Sequence, residues 1–300
     1  MMRIIEINSL DEVFNKNNLS IMLGDFDGMH KGHQVLLNTL LNIKAHHAML
    51  TFYPHPKEFF TSEKFKYLDT IKDKEIRLCN DLDYLIVLKT NKNILNSSKQ
   101  EFINFLKNNN VTDVVCGNDF TFGKNKEGNV SDLNMFNVHL VDDVTLNNKR
   151  ISSTSIREYL RKGQIKEANC LLDRIYSVKG IVSKGSQLGR TIGFPTANLD
   201  DLDYLLPGRG VYFGYALIDN VKYFGMINIG INPTFNLLKN NRLEINIFEF
   251  NNNLYDKEIE VFFIDKIRDE KKFNSKEELV LELEKNRLEC LEYMNSIKSQ

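Results

Sequence analysis

The sequence predicts two domains: an α/β domain with a parallel sheet, followed by a small antiparallel β domain that ends in a helix. In the first half, short apolar runs alternate with segments of helical spacing, the pattern of a parallel sheet covered by helices on both faces. From Tyr176, β segments are separated by glycine, proline and asparagine, which favours an antiparallel barrel or sandwich. We expect the boundary near Arg174, giving domains of residues 1–174 and 175–300.

The first half begins with a strand and a helix. Residues 19–24 (LSIMLG) form a short apolar run that ends in glycine, and Val35, Leu36, Leu40 and Ile43 then recur at helical spacing. Parallel strands need such crossover helices between them. The remaining segments are predicted strands at 49–53, 84–88, 113–117 and 137–141, and predicted helices at 32–45 and 99–106.

Helices precede and follow the β segments. Ser155 and Glu158 have capping-box spacing, which predicts a helix that opens at Ile156. Ser275 and Glu278 predict the start of the terminal helix in the same way. The segments between them are a helix at 165–172 and strands at 176–182, 210–218, 222–229, 242–250 and 258–264.

Composition excludes several classes of protein. Hydrophobic residues make up 42% of the chain, and 39 basic against 40 acidic residues give a net charge of −1, which disfavours a nucleic-acid coat or a membrane-surface protein. Apolar runs reach neither signal-peptide nor membrane-span length. The four cysteines form no CxxC pair, so a zinc site or disulfide framework is not expected and a cytoplasmic location fits.

Residues 24–33 (GDFDGMHKGH) form the first candidate phosphate site. Gly24 and Gly28 permit a tight turn, and the helix N-terminus behind them offers free N–H groups to a phosphate. His30 and His33 are three residues apart, so they share one side of the first helical turn. They suit stabilisation of charge on an α-phosphate and its pyrophosphate leaving group. Taken alone, the segment also fits a polar turn with two incidental histidines.

This segment resembles the GxFDGxHxGH motif of the HxGH nucleotidyltransferases, as found in bacterial FAD synthetases. Three further segments match that family in order: TFYPHP at 51–56, GNDFTFG at 117–123 and ISSTSIR at 151–157. Three of the four segments fall at strand ends, where ligands bind in open α/β sheets. The resemblance implies a Rossmann-like domain that transfers an adenylyl group.

The same resemblance assigns roles to individual residues of the first domain. It implies His30 and His33 as catalytic residues, and a helix N-terminus with Arg157 that binds phosphate. The expected nucleotide contacts are Gly24, Phe26, Asp27, Gly28, Ser153, Thr154 and Arg157, and the expected flavin contacts are His55, Pro56, Asn118, Asp119 and Phe122.

Residues 180–199 (GIVSKGSQLGRTIGFPTANL) form the second candidate phosphate site. Glycines interspersed with basic residues can wrap phosphates through backbone N–H groups. Thr196 and Asn198 are two residues apart, so in an extended segment their side chains point to one side. Hydroxyl and amide oxygens are hard ligands that suit Mg²⁺ together with substrate phosphates. A glycine-rich β turn is the alternative.

The second segment closely resembles the GxxxGRxxGFPTAN signature of riboflavin kinases, which implies Thr196 and Asn198 at a Mg–ATP site in a β-barrel. PGRGVY at 207–212 and NIGINPTF at 228–235 are also typical of that family. EINIFEF resembles ExHIFDF, so Glu244 is implied as the base for the riboflavin 5′-hydroxyl. The other expected contacts are Lys184, Gly185, Gly189 and Arg190 for the nucleotide, and Arg268 and Asp269, within KIRDEKKF, for the flavin.

Two positions depart from the family pattern. Asn129 stands where relatives often carry aspartate, and this departure is expected to bear on the details of flavin or nucleotide binding. Asn246 replaces the usual histidine and shares a strand face with Glu244, so the substitution is expected to alter how the base is held.

The resemblance covers nearly the whole chain and implies a bacterial-type bifunctional riboflavin kinase/FAD synthetase. With ATP and Mg²⁺ it would convert riboflavin to FMN, then adenylylate FMN to FAD with release of pyrophosphate. We expect a monomer or weak homo-oligomer without nucleic-acid or membrane partners. Two alternatives stay open: a riboflavin kinase with an inactive first domain, and a non-catalytic flavin-binding protein. The intact histidine pair argues against the first, and Thr196, Asn198 and Glu244 argue against the second.

Overall fold

The computed structural model describes residues 2–61, 63–185, 188–200, 202–231 and 241–298. Its internal contacts divide the chain into two compact units, Met1–Ser153 and Thr154–Gln300. Within the described ranges, no helix combines the length and apolar character needed to cross a membrane.

The first unit is built on a six-stranded sheet in which every neighbouring pair is parallel. The strand order is β1-β4-β3-β2-β5-β8, so β2 lies in the interior and is buried along its whole length. The strands are β1 Arg3–Ile7, β2 Leu19–Leu23, β3 His46–Tyr53, β4 Tyr84–Lys89, β5 Val111–Gly117 and β8 Asn137–Val141, with short ribbons β6 Thr121–Phe122 with β7 Gly128–Asn129 and β9 Thr145–Leu146 with β10 Lys149–Arg150.

Helices cover this sheet, and two apolar clusters fill the space around it. One cluster includes Leu19, Ile21 and Phe105, and the other includes Met22, Met49 and Leu40. Since successive residues of β2 contribute to different clusters, both faces of the strand are packed, as expected of a parallel sheet. The helices are α1 Lys31–Leu41, α2 Pro56–Phe60, α3 Ile71–Leu78, α4 Lys92–Asn96 and α5 Lys99–Asn108, with 3₁₀ turns at Lys124–Lys126 and Val130–Leu133.

The α/β prediction for this half is confirmed, since each predicted strand and helix is present with ends shifted by a few residues. One strand that the sequence analysis did not include is β1. It is an edge strand whose residues are mostly exposed or half-buried, so it lacks the continuous apolar run that marks the interior strands.

The second unit is a closed antiparallel barrel with strand order β11-β12-β15-β14-β13-β16. A barrel, and not a sandwich, is therefore the correct form of the predicted β domain. The strands are β11 Tyr176–Ser183, β12 Ala197–Leu199, β13 Gly210–Ile218, β14 Val221–Ile231, β15 Asn241–Ile247 and β16 Glu258–Asp269, and the helices are α6 Ser153–Arg161, α7 Ile165–Leu172, α8 Leu188–Thr191 and α9 Lys276–Lys298.

Two helix starts test the capping-box predictions. Helix α9 begins after Ser275, whose hydroxyl oxygen accepts a hydrogen bond from Glu278 N at 3.1 Å, as predicted. Helix α6 instead begins at Ser153, so Ser155 lies inside it and the predicted start at Ile156 is wrong. Polar residues with capping spacing inside a helix mimic a true helix start.

Helix α7 contacts the barrel, although the sequence analysis placed it with the first domain. Asn169 Nδ2 donates to Phe263 O at 3.0 Å, and Tyr176 N donates to Asn169 Oδ1 at 2.7 Å. These two bonds attach the helix to β16 and β11. The contacts therefore divide the chain after Ser153, earlier than Arg174.

Helix α9 covers the outside of the barrel. Phe213, Met226 and Phe248 form an apolar cluster with Cys290 of the helix, and all four are buried. This second layer sits outside the barrel interior, where Tyr176, Tyr212 and Phe263 are fully buried.

Candidate active sites

The histidine pair lies where β2 leads into α1. His30 is the N-cap residue of α1, and its Nδ1 accepts a hydrogen bond from His33 N at 3.4 Å. The two rings are stacked, with centroids 3.6 Å apart. Gly28 has φ +94°, a backbone conformation that side-chain-bearing residues rarely adopt. The turn therefore places both imidazoles together at the N-terminus of the helix, which is the end that favours anions.

His33 is held in its neutral form. Burial lowers its pKa well below the ordinary histidine value, and electrostatic interactions with His30 and Lys74 lower it further. Its Nδ1 atom is buried and forms no hydrogen bond with the described residues. Phe26 packs edge-on against its ring at 5.2 Å and is itself only 1% exposed. Phe26, expected as a nucleotide contact, thus lies in the core and supports His33.

Asp27 connects this turn to a second segment of the chain. Its Oδ1 accepts hydrogen bonds from Leu68 N at 2.8 Å and Asp69 N at 3.3 Å, and the residue is buried. Ser153 Oγ donates to the carbonyl oxygen of Asp27 at 2.8 Å. Two expected nucleotide contacts therefore organise the loop around the histidines. Gly24 is equally constrained, since a Cβ there would lie 2.9 Å from the Phe26 ring.

His55 joins the TFYPHP segment to the same turn. Its Nε2 lies 3.0 Å from Asp25 Oδ2, and its Nδ1 accepts a hydrogen bond from Lys57 N at 3.0 Å. Its ring stacks on Phe65 with centroids 3.8 Å apart. Pro56 begins α2 directly after this N-cap residue. Both ring nitrogens and one ring face of His55 are therefore occupied by protein groups.

The expected flavin contacts of the GNDFTFG segment lie in different environments. Asn118 Nδ2 donates to Asp142 Oδ1 at 2.9 Å, and Asp119 pairs with Arg150 at 2.7 Å. Phe122 is buried and packs against Phe102, with ring centroids 4.9 Å apart. Its side chain is thus part of the core, whereas Asn118 and Asp119 remain at the surface.

Arg150 is a residue of this region that the sequence analysis did not include. Besides Asp119, it pairs through Nε with Asp143 Oδ1 at 2.9 Å. The hydrogen bond to Asp119 raises the pKa of Arg150. No motif in the sequence marks its pairing with these two carboxylates. Asn129, the first departure from the family pattern, caps the turn at Val130–Leu133 by accepting from Ser131 N at 2.9 Å, a role that asparagine fills as well as aspartate.

Thr154 and Arg157 lie on α6, in the first turns after Ser153. They belong to the second contact unit, whereas the histidine pair belongs to the first. Their participation in nucleotide binding stays a prediction.

In the barrel, β12 and β15 bring the predicted kinase residues together. Asn198 on β12 is the register partner of Glu244 on β15. The Thr196 hydroxyl forms a hydrogen bond with the Glu244 carboxylate. Asn198 is 5% exposed, and its buried Oδ1 accepts no hydrogen bond from the described residues. The three side chains form one polar cluster on the barrel, because directly paired residues share a sheet face.

The protonation of Glu244 is set by burial and by neighbouring charges. Burial raises its pKa, Arg242 lowers it, Asp200 raises it, and the Thr196 hydrogen bond lowers it. Arg242 Nε lies 3.6 Å from Glu244 Oε1 and 3.4 Å from Asp200 Oδ1. Asp200 also accepts a hydrogen bond from Ser183 Oγ at 2.6 Å. Arg242 and Asp200 are further residues of this site that the sequence analysis missed.

The glycine-rich loop passes directly over Asn198. A Cβ on Gly185 would lie 2.3 Å from Asn198 Nδ2 and 2.8 Å from Arg242 Nη2, so only glycine allows this approach. Lys184 is exposed, with its Nζ 5.9 Å from the Tyr255 ring centre. The carbonyl oxygen of Gly189, in α8, accepts a hydrogen bond from Phe194 N at 2.8 Å. The Arg190 side chain, residues 186 and 187, and residues 232–235 of the NIGINPTF segment lie outside the described part of the chain.

Asn246 ties the loop to the strand that carries Glu244. Its Nδ2 donates to Pro195 O at 2.7 Å, and the residue is 7% exposed. Pro195 immediately precedes Thr196, and Ala197 is the register partner of Ile245. The second departure from the family pattern thus fixes the PTAN segment against β15.

A cavity of about 600 Å³ adjoins this cluster. Thr196 lies at its wall, and the lining combines apolar side chains with a rim of asparagines. The lining includes Val182, Pro195, Ala197, Ile245, Ile247, Phe250, Asn251, Asn252, Asn253, Leu254 and Tyr255.

The two expected flavin contacts at the end of β16 are engaged by protein groups. Arg268 Nε donates to Asn286 Oδ1 at 2.8 Å and lies 3.4 Å from Glu282 Oε1, both on α9. Asp269 is exposed and pairs with Lys266, which lowers its pKa. Arg268 therefore links the barrel to its terminal helix.

A stacked histidine pair at a helix N-terminus in an α/β unit, and a glycine-rich loop over an amide and a carboxylate in a barrel, define an enzyme that transfers phosphorus-containing groups. Family models agree: an FAD synthetase model matches residues 13–155 and a riboflavin kinase model matches residues 172–294. The chain belongs to the family of bifunctional riboflavin kinase/FMN adenylyltransferases.

Similar curated proteins include the bifunctional riboflavin kinase/FMN adenylyltransferases of Listeria monocytogenes, 36% identical over 90% of both chains, and Bacillus subtilis, 35% identical over 92% of both. A solved structure described as a macrolide-efflux protein from Streptococcus pneumoniae is 32% identical, with a TM-score of 0.85, covering 95% of this chain and 97% of that chain. The macrolide-efflux description applies to the Streptococcus protein.

Replacing Gly185 with alanine tests the close approach of the loop. The added Cβ would displace Asn198, so we expect FMN formation from riboflavin to fall about 100-fold, a typical effect of displacing a catalytic group by about 1 Å. FAD formation from supplied FMN should be unchanged. Ile181→Ala, at an exposed position on β11, is the control. A folded Gly185→Ala variant with normal kinase activity would contradict this role.

Replacing Asn246 tests the link to Pro195. Asn246→Ala leaves a buried carbonyl without its donor, so we expect the barrel to lose about 1–3 kcal/mol of unfolding free energy. Kinase kcat/KM should fall about tenfold as the PTAN segment loosens, since about 1.4 kcal/mol corresponds to tenfold. Asn246→Asp, of the same size but opposing the carbonyl, should be worse. Denaturant unfolding and chromatography of FMN measure the two effects, and unchanged kinase activity would refute the link.

Proposed function

We propose that the two reactions of this bifunctional enzyme take place at two separate sites, one in each unit. Riboflavin would be phosphorylated at the barrel site around Glu244, and FMN would be adenylylated at the site of His30 and His33. Two features support this assignment. Asn198 pairs with Glu244 beneath the glycine-rich loop, and a second site suited to phosphate lies at the start of α1.

In the kinase reaction, Glu244 acts as the general base. It accepts the proton of the riboflavin 5′-hydroxyl as that oxygen attacks the γ-phosphorus of ATP, and ADP leaves. Burial, which raises the pKa of Glu244, makes the carboxylate a stronger base, while Arg242 and Thr196 keep it ionised before substrate binds. Lys184 and the backbone N–H groups of the loop bind the ATP phosphates.

The residues of the barrel site fit a magnesium ion. Asn198 Oδ1 is a buried oxygen without a hydrogen-bond donor among the described residues, and the Thr196 hydroxyl stands beside it in the same segment. Both are hard oxygen ligands of the kind Mg²⁺ uses together with substrate phosphates. When bound, the ion would neutralise charge on the phosphates and orient them.

The adjoining cavity suits the nucleoside of ATP. Its volume of about 600 Å³ is within the usual range of small-molecule pockets. Ile245, Ile247 and Phe250 provide apolar contact area, and the asparagine rim provides hydrogen-bonding groups. Thr196 at its wall would place the phosphates next to the metal ligands.

In the adenylyl transfer, a phosphate oxygen of FMN attacks the α-phosphorus of ATP and pyrophosphate leaves. His30 and His33 donate hydrogen bonds to the phosphate oxygens, and the start of α1 adds its positive dipole end. Because burial keeps His33 neutral, it acts as a hydrogen-bond donor and not as a cation.

We also propose a cytoplasmic enzyme that acts as a monomer or weak homo-oligomer and binds no nucleic acid. The near-equal numbers of basic and acidic residues support the last point. Burial raises the pKa of Cys116 to about 11 and that of Cys290 to about 12, so these thiols are unreactive.

Separate loss of the two activities tests the two-site assignment. Glu244→Gln should lower FMN formation from riboflavin at least about 100-fold while sparing FAD formation from FMN, since a general base contributes about 10²–10⁴. The double variant His30→Ala, His33→Ala should do the reverse. Chromatography of flavin products measures both.

Each variant serves as the folding control of the other, because every variant should retain one activity. Loss of both activities in a folded variant would refute the assignment. A wild-type chain that makes FMN but no FAD would restrict the function to the kinase, and one that binds flavin without product would leave only a binding protein.

A further inference from the structure

Lys74 is a buried cation outside the sequence motifs of both sites. It lies on α3 and is only 3% exposed. Its Nζ donates to the carbonyl oxygen of Asp69 at 3.1 Å. Three carboxylates of the same connected segments, those of Asp27, Asp69 and Asp73, are also buried. An ammonium has three donors, and the bond to Asp69 uses one of them.

Burial of such a group lowers the free energy of unfolding. A buried ammonium is unfavourable compared with an apolar side chain of similar size unless its charge and its hydrogen-bond donors are satisfied. On α3, Leu78 belongs to the same buried apolar cluster as Met29 and Met49, whereas Asp73 is buried alongside Lys74. Apolar packing therefore does not account for a lysine at this position, and an anion that takes up its remaining donors would.

The position of Lys74 is fixed relative to the histidine turn. Asp69, whose carbonyl oxygen binds the ammonium, is itself bound through its N–H to Asp27 Oδ1. A capping box of Thr70 and Asp73 sets the start of α3. The turn of residues 24–33, the Leu68–Asp69 backbone and the lysine are thus joined by consecutive hydrogen bonds.

The charge of Lys74 also acts on the histidine pair. It is one of the causes of the lowered pKa of His33, after burial and His30. His33 Nδ1 is likewise buried without a partner in the described part of the chain. Lys74 and His33 are thus both joined to the turn of residues 24–33, and both have hydrogen-bonding capacity left for a ligand.

We propose that Lys74 is a phosphate-binding residue of the adenylyl-transfer site. Its ammonium binds a phosphate oxygen of ATP or of FMN, the two phosphate-bearing molecules that react there. In the reaction, an oxygen of the FMN phosphate bonds to the α-phosphorus of ATP, and the bond to the β-phosphate oxygen breaks. Pyrophosphate leaves with that electron pair, and Lys74 offsets the negative charge. The inference rests on the proposed function of the first unit.

Substitutions on one helix test this role. Lys74→Met removes the charge but retains an unbranched side chain suited to a buried position. We expect kcat/KM for FAD formation from FMN to fall about 100-fold, the typical loss for one charge-stabilising donor. Lys74→Arg should retain most of the activity. Lys72→Met, at an exposed position of the same helix, is the matched control and should match wild type. FMN formation from riboflavin should be unchanged in all three.

Binding measurements identify the phosphate concerned. Calorimetry with inorganic pyrophosphate and with FMN is performed on wild type and Lys74→Met. Weaker pyrophosphate binding with unchanged FMN binding assigns Lys74 to the ATP phosphates, and the reverse assigns it to the FMN phosphate. Unchanged binding of both ligands would overturn the proposal.

Thermal stability and FAD formation of the variants also test the role of Lys74. A Lys74→Met chain with wild-type unfolding temperature and FAD formation within about threefold of wild type refutes a phosphate-binding role, because loss of such a charge costs far more. If Lys74→Met and Lys74→Arg lose thermal stability and FAD formation to the same extent, the lysine is structural and the proposal is wrong. If wild type makes FMN but no FAD, the proposed function of the first unit fails, and pyrophosphate binding still tests Lys74.

Discussion

The first unit depends on a buried carboxylate that accepts backbone hydrogen bonds from a distant segment. Asp27 holds Leu68 and Asp69 against the turn that carries the histidines, while its own carbonyl oxygen receives the Ser153 hydroxyl. Hydrogen bonds to a charged group stabilise by about 1.5–3 kcal/mol, enough to fix a loop without regular structure. Three segments that share no secondary structure are thereby assembled at the end of β2.

In the second unit, the register of the sheet positions the site residues. Asn198 faces Glu244 because β12 and β15 pair antiparallel, and the bond from Asn246 to Pro195 continues that alignment beyond the end of the short strand. The glycine at 185 then lets the loop descend onto the amide. Side chains at the first site are placed by a turn and a cap, whereas those at the second are placed by pairing.

Local patterns explain what the sequence could predict. Apolar runs and helical spacing revealed the sheet and most barrel strands, and the motif residues Thr196, Asn198 and Glu244 do meet in space. The three-residue strand β12 was missed because it follows a proline and is too short for any periodicity. Phe26 and Phe122 were expected at ligands, yet both are core side chains, since a motif letter does not distinguish a contact from a support.

The contributions of Arg242, Arg150 and Lys74 could not be predicted for a different reason. Each depends on carboxylates, carbonyls or loops that only the fold brings near: Asp200 for Arg242, Asp119 for Arg150 and Asp69 for Lys74. Position along the chain carries no record of such pairings. The same limitation applies to the boundary, because the attachment of α7 to the barrel through Asn169 is a tertiary contact.

The terminal helix has a consequence for how the chain folds during synthesis. Strand β16 pairs with both β11 and β13, so the barrel closes only when that strand is present, and α9 covers the apolar cluster around Phe213 afterwards. The parallel sheet can therefore complete on the ribosome while the barrel is still open, because domains fold as units from the N-terminus. Until residues 276–298 emerge, a partly built barrel exposes aromatic strands that could pair with other chains. Slow elongation through residues 276–298 would prolong that exposure, so the kinase half is where chaperone demand should concentrate.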